Sequence, residues 1–331
     1  MKKLFFLRGL TVAITTVVFY AAFILACYSI GPHTFNSWIP NALSTSGGQG
    51  YTLLRLNEAE KASDVDILFV GSSQVNRGFD VRIFEKNGLK AFNLGTSAQT
   101  LFNSYYLLKE YLPTSKPKHV VLDLYWGVAK NDGVEPSIDI LSNSDFDEST
   151  LEMVLDLKNG TVFGSLAANA ILRLRTPIYQ VKQKEFRDSE YISGGFTKSL
   201  ATNNKLDAED LQKMKPLEAN MNDFQLEYLK KIIALCKSSN TKLIFVLTPV
   251  TKEYKRKVTN YNSYTNKIAR IAKENKIPFL DYNQREELSL VSSEDFSDRN
   301  HLAQSGAEKF DSLFIKDLGK LGVSQLSLSR K

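Results

Sequence analysis

The 331 residues contain only three histidines. One of them, His301, stands in "EDFSDRNHLAQSGAEKF" (294–310), three residues after Asp298 and just ahead of a helical pattern over about 303–320. Imidazole is the side chain best suited to take and return a proton near neutral pH. An Asp three residues earlier, at a loop-to-helix junction, can turn back on one ring nitrogen and leave the other free. A serine nucleophile needs that arrangement: a base for its proton and an acid to orient the base. His33 falls in a Pro- and Ser-rich stretch, and His119 opens a buried strand at the opposite edge of the sheet, so His301 is the candidate base. The candidate nucleophile comes from "FVGSSQVNRGFD" (69–80), where Ser72 and Ser73 follow a short apolar run and a glycine. A polar turn that merely caps the next helix would read the same way. The serines gain meaning from the histidine at the other end of the chain.

The elements that would position these groups follow a repeating pattern. Apolar runs at 66–73, 90–97, 119–126, 242–249 and 277–283 read as strands, and helical patterns such as "AQTLFNSYYLLKEYL", "DFQLEYLKKIIALCKSS" and "EYKRKVTNYNSYTNKIARIAKEN" (253–275) separate them. Nearly all-apolar strands alternating with helices predict a parallel sheet covered on both faces, with ligands beyond the C-terminal strand ends. The "GSS" after the first strand, the "GTS" after the second and the Asp–His segment after the fifth would then share one edge. Residues at about 128–220 break the alternation. "STLEMVLDLKNG" and "GSLAANAILRLRTPIY" read as helices there and "ISGGFTKSLATNNK" as a polar stretch, so the segment is expected to be a cap or substrate-facing insertion. "YTLLRLNEAEKA" (51–62) reads as a short helix.

The N-terminus differs in kind. Lys2, Lys3 and Arg8 precede "LTVAITTVVFYAAFILACYSIG" (10–31), which carries no charge. A helix of ~20 apolar residues crosses a bilayer, and the preceding positive residues put the N-terminus in the cytoplasm and the rest outside. A cleaved signal peptide usually has an apolar region of only about 7–15 residues, so an uncleaved anchor is favoured. "ILAC" offers a third reading, lipidation at Cys27, although Leu25 fits that pattern poorly. The other cysteine, Cys236, lies in an apolar run and reads as a buried thiol, so no disulfide framework or cysteine metal site is expected. With His and Cys this sparse and unclustered, neither a metal nor a cofactor is expected. The net charge of +6 is spread through amphipathic stretches, which argues against nucleic-acid binding. The "GSSQVNRG" segment lacks the glycine spacing of a dinucleotide fingerprint.

Taken together, Gly71-Ser72-Ser73 and Asp298-Arg299-Asn300-His301 resemble the first and last sequence blocks of the SGNH (GDSL-like) hydrolase family. The resemblance spans about 64–320 in element order. It implies a three-layer α/β/α, flavodoxin-like fold with a parallel sheet of about five strands, preceded here by one transmembrane helix. It also implies a division into an anchor (1–31), a linker with a short helix (32–63) and an SGNH hydrolase-like domain (64–325) that holds the insertion. By resemblance Ser73 is the nucleophile, His301 the base and Asp298 its partner. The oxyanion would be held by the backbone N–H groups of Ser73 and Gly95. The third block departs from the family: Tyr125, Trp126 and Gly127 stand where Gly-x-Asn-Asp is usual, and Asn131-Asp132 comes four residues late, leaving Asn131 as a doubtful third donor. The Tyr/Trp block, "VLTPV" and the single anchor are similar to the branch that O-acylates envelope polysaccharides, such as the alginate acetylation proteins. Members of that branch work beside a multi-pass membrane-bound O-acyltransferase. The implied activity is acyl transfer from an acylated donor to a polysaccharide acceptor, or to water. Arg77 would either steer an anionic acceptor or be a surface arginine that caps its helix. The competing reading is an inactive envelope scaffold or polysaccharide-binding partner of such a transferase.

Overall fold

The computed structural model describes residues 2–30, 50–174, 182–183, 185–201 and 213–323. Among these, the strands are β1 (Ile67–Val70), β2 (Ala91–Asn93), β3 (His119–Asp123), β4 (Ser189–Ile192), β5 (Phe196–Ser199), β6 (Lys242–Leu247) and β7 (Phe279–Asp281). Five of them form one sheet in the order β2-β1-β3-β6-β7, and every neighbouring pair is parallel. Renumbered by position along the chain this is 2-1-3-4-5, the flavodoxin-like order, in which the switch point lies between β1 and β3. The linker of 32–49, His33 and the C-terminal Arg330 and Lys331 lie outside the described residues.

The helices are α1 (Lys2–Ile30), α2 (Thr52–Ala59), α3 (Ser73–Gly78), α4 (Val81–Lys86), α5 (Leu101–Ser115), α6 (Val134–Asn143), α7 (Glu148–Leu157), α8 (Gly160–Arg173), α9 (Asp223–Ser238), α10 (Lys252–Arg256), α11 (Tyr261–Asn275) and α12 (Gln304–Lys320). Side chains alternate across a strand, so each sheet face has its own core. Leu68, Val70, Val120, Leu122, Leu243 and Phe245 face α5, α9 and α11 with residues such as Phe102, Tyr228 and Ile268. Ile67, Phe69, Val121, Ile244 and Val246 face the other layer, where Phe79, Phe84, Phe310 and Phe314 pack from α4, α12 and the preceding turn. Phe69 and Phe79 stack with ring centroids 4.2 Å apart. Burial of each such side chain contributes about 1.5–3 kcal/mol. Cys236 is buried in the first of these cores, and burial pushes its thiol up to about 12, as expected for an inert core residue.

Two departures from the sequence reading have identifiable causes. The helix expected from 253 to 275 is split into α10 and α11. The chain returning from the insertion pins the break: Leu217 N–H donates to Lys257 O at 2.7 Å, Thr259 N–H donates to Leu217 O at 2.9 Å, and Asn260 Oδ1 accepts from Ala219 N–H at 2.8 Å. The polar "ISGGFTKS", to which the sequence reading gave no element, belongs to the antiparallel hairpin β4–β5. Its turn uses Gly194 and Gly195, both at positive φ, a signature of tight hairpins. Gly194 O accepts Asn93 N–H at 2.8 Å, so the hairpin covers the edge of β2. The rest of the expected insertion contributes α6, α7 and α8.

The apolar N-terminal segment is one helix, and Lys2–Phe23 is long and apolar enough to cross a membrane, with none of it buried in the protein. The side chain of Cys27 is not among those described.

Candidate active site

Gly71 ends β1 at φ +154, and a Cβ there would lie 2.7 Å from Val75 Cγ2 and 3.0 Å from Asp123 Cβ. The chain can therefore turn tightly against β3 only with glycine at this position. Ser72 then caps α3 by accepting Gln74 N–H at 3.3 Å. Ser73 becomes the first helical residue, at the C-terminal edge of the sheet.

The last segment reaches the same edge from β7. Ser297 N–H donates to His301 O at 2.9 Å, and Thr251 N–H and Oγ1–H donate to Arg299 O at 3.1 and 2.8 Å. Within this loop Asp298 Oδ1 accepts the N–H groups of Asn300 and His301 at 2.9 and 2.8 Å. Its other oxygen, Oδ2, lies 2.7 Å from His301 Nδ1. Partial burial pushes Asp298 up, but the His301 ring and the two backbone N–H groups outweigh it and hold the carboxylate low, at about 2. An ionised carboxylate only accepts, so Nδ1 carries the proton and Nε2 is bare. Nε2 is 2.7 Å from Ser73 Oγ. Residues 228 positions apart in the chain thus form one Ser–His–Asp relay. The arrangement can move a proton from the serine hydroxyl onto the imidazole while the carboxylate stabilises the resulting cation.

The expected oxyanion donors fall out unevenly. The N–H of Ser73 has no acceptor among the described residues, as befits the first turn of a helix. The N–H of Gly95 is engaged: it donates to Asn93 Oδ1 at 3.1 Å. The strand ends in Asn, whose side chain folds back onto the N–H two residues on. The same Asn93 amide donates to Val75 O and Phe79 O at 2.8 and 3.0 Å, which ties β2 to α3. Asn131 is not drawn back to the serine. It is exposed beside Ala98, Lys130 and Asp132 in a cavity of about 360 Å³ whose lining does not include Ser73, with its own carbonyl held by Gln225 Nε2 at 2.7 Å. Arg77 lies one turn after Ser73 on α3, half-buried, and its side chain has no ion pair or hydrogen bond among the described residues.

Two groups at this edge, Asn300 and Asp123, were not singled out from the sequence. Asn300 Nδ2 lies 3.3 Å from His301 Nε2, a second donor to the bare nitrogen. Its position inside Asp298–His301 was the available signal. Beneath Gly71, Asp123 Oδ1 at the end of β3 accepts Thr248 N–H at 3.1 Å, and the single Oγ1–H of Thr248 is shared between Asp123 Oδ1 at 3.2 Å and Gln74 Oε1 at 3.3 Å. Burial pushes Asp123 up to about 7 against these hydrogen bonds. Tyr125 and Trp126 turn inward after β3, with Tyr125 Oη 3.1 Å from Tyr254 Oη and the Trp126 ring edge-on to Tyr261.

A family model described as a protein of unknown function (DUF1574) matches residues 171–318, which include Asp298 and His301 but not Ser73. No curated protein matches the chain. Among solved structures, the chain is similar to a GDSL-like lipase from Bacteroides thetaiotaomicron, at 14% identity and a TM-score of 0.40 over 77% of this chain and 88% of that one. It is also similar to an acetylxylan esterase from Geobacillus stearothermophilus, at 14% identity and a TM-score of 0.40 over 78% of this chain and 96% of that one.

Proposed function

We propose that this chain is a membrane-anchored, serine-dependent acyl-transfer enzyme whose main domain lies outside the cytoplasm. The observation that carries the reading is the continuous relay from Ser73 Oγ through His301 to Asp298, with both contacts at 2.7 Å. Ser73 Oγ attacks the carbonyl carbon of an acyl donor as His301 Nε2 takes its proton. The tetrahedral intermediate collapses when Nε2–H protonates the leaving alcohol, which gives the acyl-serine. An acceptor hydroxyl then loses its proton to Nε2 and attacks the acyl carbon, and Ser73 departs with the proton returned. A sugar hydroxyl as acceptor makes the enzyme an O-acetyltransferase of envelope or exported polysaccharide; water makes it an esterase. The apolar α1 and the positive residues in its first turns, Lys2, Lys3 and Arg8, support an N-terminus in the cytoplasm. A multi-pass membrane-bound O-acyltransferase is the partner that would bring the acyl group across the bilayer.

A second reading, an inactive scaffold beside such a transferase, draws support from two features: Gly95 N–H is already bonded, and Asn131 lines a cavity that does not include Ser73. The test uses the full chain in detergent micelles with a chromogenic acetyl ester and a serine-directed phosphonate read by intact mass. Turnover and one label per chain are expected in the wild type, with both lost in Ser73→Ala and turnover lost in His301→Ala. A folded wild type that neither turns over nor takes the label refutes catalysis by this chain alone and leaves the scaffold.

A further inference from the structure

Asn300 stands between Asp298 and His301, and the relay fixes its backbone. Its N–H donates to Asp298 Oδ1 at 2.9 Å, beside the His301 N–H on the same oxygen at 2.8 Å. Thr251 holds the carbonyl of the preceding Arg299. The loop that places the imidazole therefore places this amide as well. The side chain is half-buried, and its one polar contact among the described residues is Nδ2 to His301 Nε2 at 3.3 Å. A bare ring nitrogen repels a carbonyl oxygen, so the NH₂ group is the end that faces it.

That contact is a poor hydrogen bond for a side chain on so fixed a backbone. Nε2 has one lone pair, and Ser73 Oγ already occupies it at 2.7 Å. At 3.3 Å the amide only shares it, beyond the usual range of a nitrogen donor. The competition ends in the acyl-enzyme. Once Ser73 Oγ is esterified it has no proton to give, and the Nε2 lone pair is open to the next hydroxyl. That hydroxyl must lie within about 3 Å of Nε2 for its proton to pass. Because Nδ2 is 3.3 Å from Nε2, an oxygen in that place can be within hydrogen-bond distance of both nitrogens. Its proton then points at Nε2, one lone pair accepts Nδ2–H, and the other is left to attack.

We propose that Asn300 binds the acceptor oxygen, its Nδ2–H and His301 Nε2 together aiming the acceptor hydroxyl at the acyl carbon. The inference rests on the acyl-transfer reading and adds to it the group that orients the second substrate. As the acceptor oxygen bonds the acyl carbon, its proton passes to Nε2. The bond from that carbon to Ser73 Oγ then breaks, and Nε2 returns the proton to Ser73. Water and a sugar hydroxyl use the same two contacts. In the acylation step the oxygen of a leaving alcohol occupies this place, since it takes its proton from Nε2. A leaving group that departs as a stable anion has no need of it.

The test uses the full chain in detergent micelles with 4-nitrophenyl acetate, whose leaving group is such an anion. Acylation of Ser73 by this ester bypasses Asn300, whereas deacylation by water does not. Acylation is read as single-turnover release of 4-nitrophenolate, and deacylation as decay of the acetyl-enzyme by intact mass. Asn300→Leu keeps the volume and removes both polar ends. Its deacylation should fall about 10- to 100-fold, the worth of one hydrogen bond to an oxygen carrying charge, with acylation kept within about threefold. Asn300→Ala, which cannot crowd the loop, should show the same split. Acylation and deacylation falling together in Asn300→Ala overturns the inference and leaves the residue a support of the loop. Deacylation unchanged in Asn300→Ala overturns it as well. A folded wild type that takes no acetyl group refutes the acyl-transfer reading, and this inference falls with it. A wild type that acylates and deacylates, with variants that do not split the two steps, refutes the inference alone.

Discussion

Replacing Asp298 with asparagine tests the relay at its most specific point. Oδ1 of Asp298 is held by two backbone donors, the N–H groups of Asn300 and His301. An amide at this position keeps both bonds only if its oxygen stays there. Its NH₂ group then takes the place of Oδ2, 2.7 Å from His301 Nδ1, where it can only donate. Nδ1 must become the acceptor, so the ring proton moves to Nε2. A protonated Nε2 can no longer accept from Ser73 Oγ. The reverse amide orientation would point NH₂ at two backbone donors and leave both unpaired, at about 1–3 kcal/mol each, so the wrong tautomer wins by several kcal/mol. The expected loss is about 10⁴-fold in kcat, or about 5 kcal/mol of transition-state stabilisation, with little change in fold. Ester turnover measures the loss. The ¹⁵N spectrum of selectively labelled histidine measures the tautomer without any substrate, moving from Nδ1–H in the wild type to Nε2–H in Asp298→Asn. Turnover within about tenfold of wild type, or an unchanged tautomer, would refute the reasoning.

Asp123→Asn should flatten the pH dependence of stability. The folded carboxyl titrates at about 7 against an ordinary 3.8. Between those values the folded state keeps a proton that the unfolded chain releases, so wild-type stability falls as pH rises, by up to about 4 kcal/mol in all. The variant has no such proton, so it gains on wild type from pH 5 to pH 8. Buried Asp311, also raised, contributes a slope of the same sign to both proteins, and the difference between their melting curves is the quantity to read. A constant difference across that range would show that Asp123 is ionised throughout. Gly195→Ala should be severe, because at φ +97 its Cβ would fall 1.9 Å from Asn93 O, and the Gly195 carbonyl is the acceptor of buried Arg55 Nε at 2.9 Å. A loss of about 3 kcal/mol or more is expected, read as a drop in melting temperature. Gly88→Ala, at φ +74 in open space, should cost only about 1 kcal/mol and serves as the comparison.

The sheet was legible because each of its strands is a short, almost wholly apolar run. That composition survives only where both faces are covered, and it marks β1, β3 and β6 without reference to anything distant. The departures come from contacts across the chain. The break between α10 and α11 depends on Leu217, some forty residues earlier, returning beside Val258. Nothing in the local pattern at 253–275 announces it. The β4–β5 hairpin is polar on its outward side and is stabilised by docking on β2 and around Arg55, whose guanidinium reaches Gly195 O, Gly50 O and Thr197 Oγ1 at 2.9 Å each. A fully buried arginine of this kind cannot be told from a surface one in sequence.

The site divides along the same line. Asp298, His301 and the pair Ser72–Ser73 could be named because side-chain chemistry is written in residue type and the parallel topology brings strand ends to one edge; the choice of Ser73 came from the family resemblance. The oxyanion donors could not be judged that way, since they are backbone groups and every residue but proline has one. What matters is whether the donor is already spent, and that is decided by its neighbour. Ser73 N–H is open because a helix begins there; Gly95 N–H is closed because the strand before it ends in Asn93. For Gly95 to hold an oxyanion it must exchange the Asn93 bond for the substrate's. The exchange leaves Asn93 Oδ1 short of a donor at a position buried from water, so the second donor adds less to the transition state than a free N–H would. On the proposed acyl-transfer reading, the oxyanion therefore leans on Ser73 N–H and on the relay more heavily than the family resemblance implies.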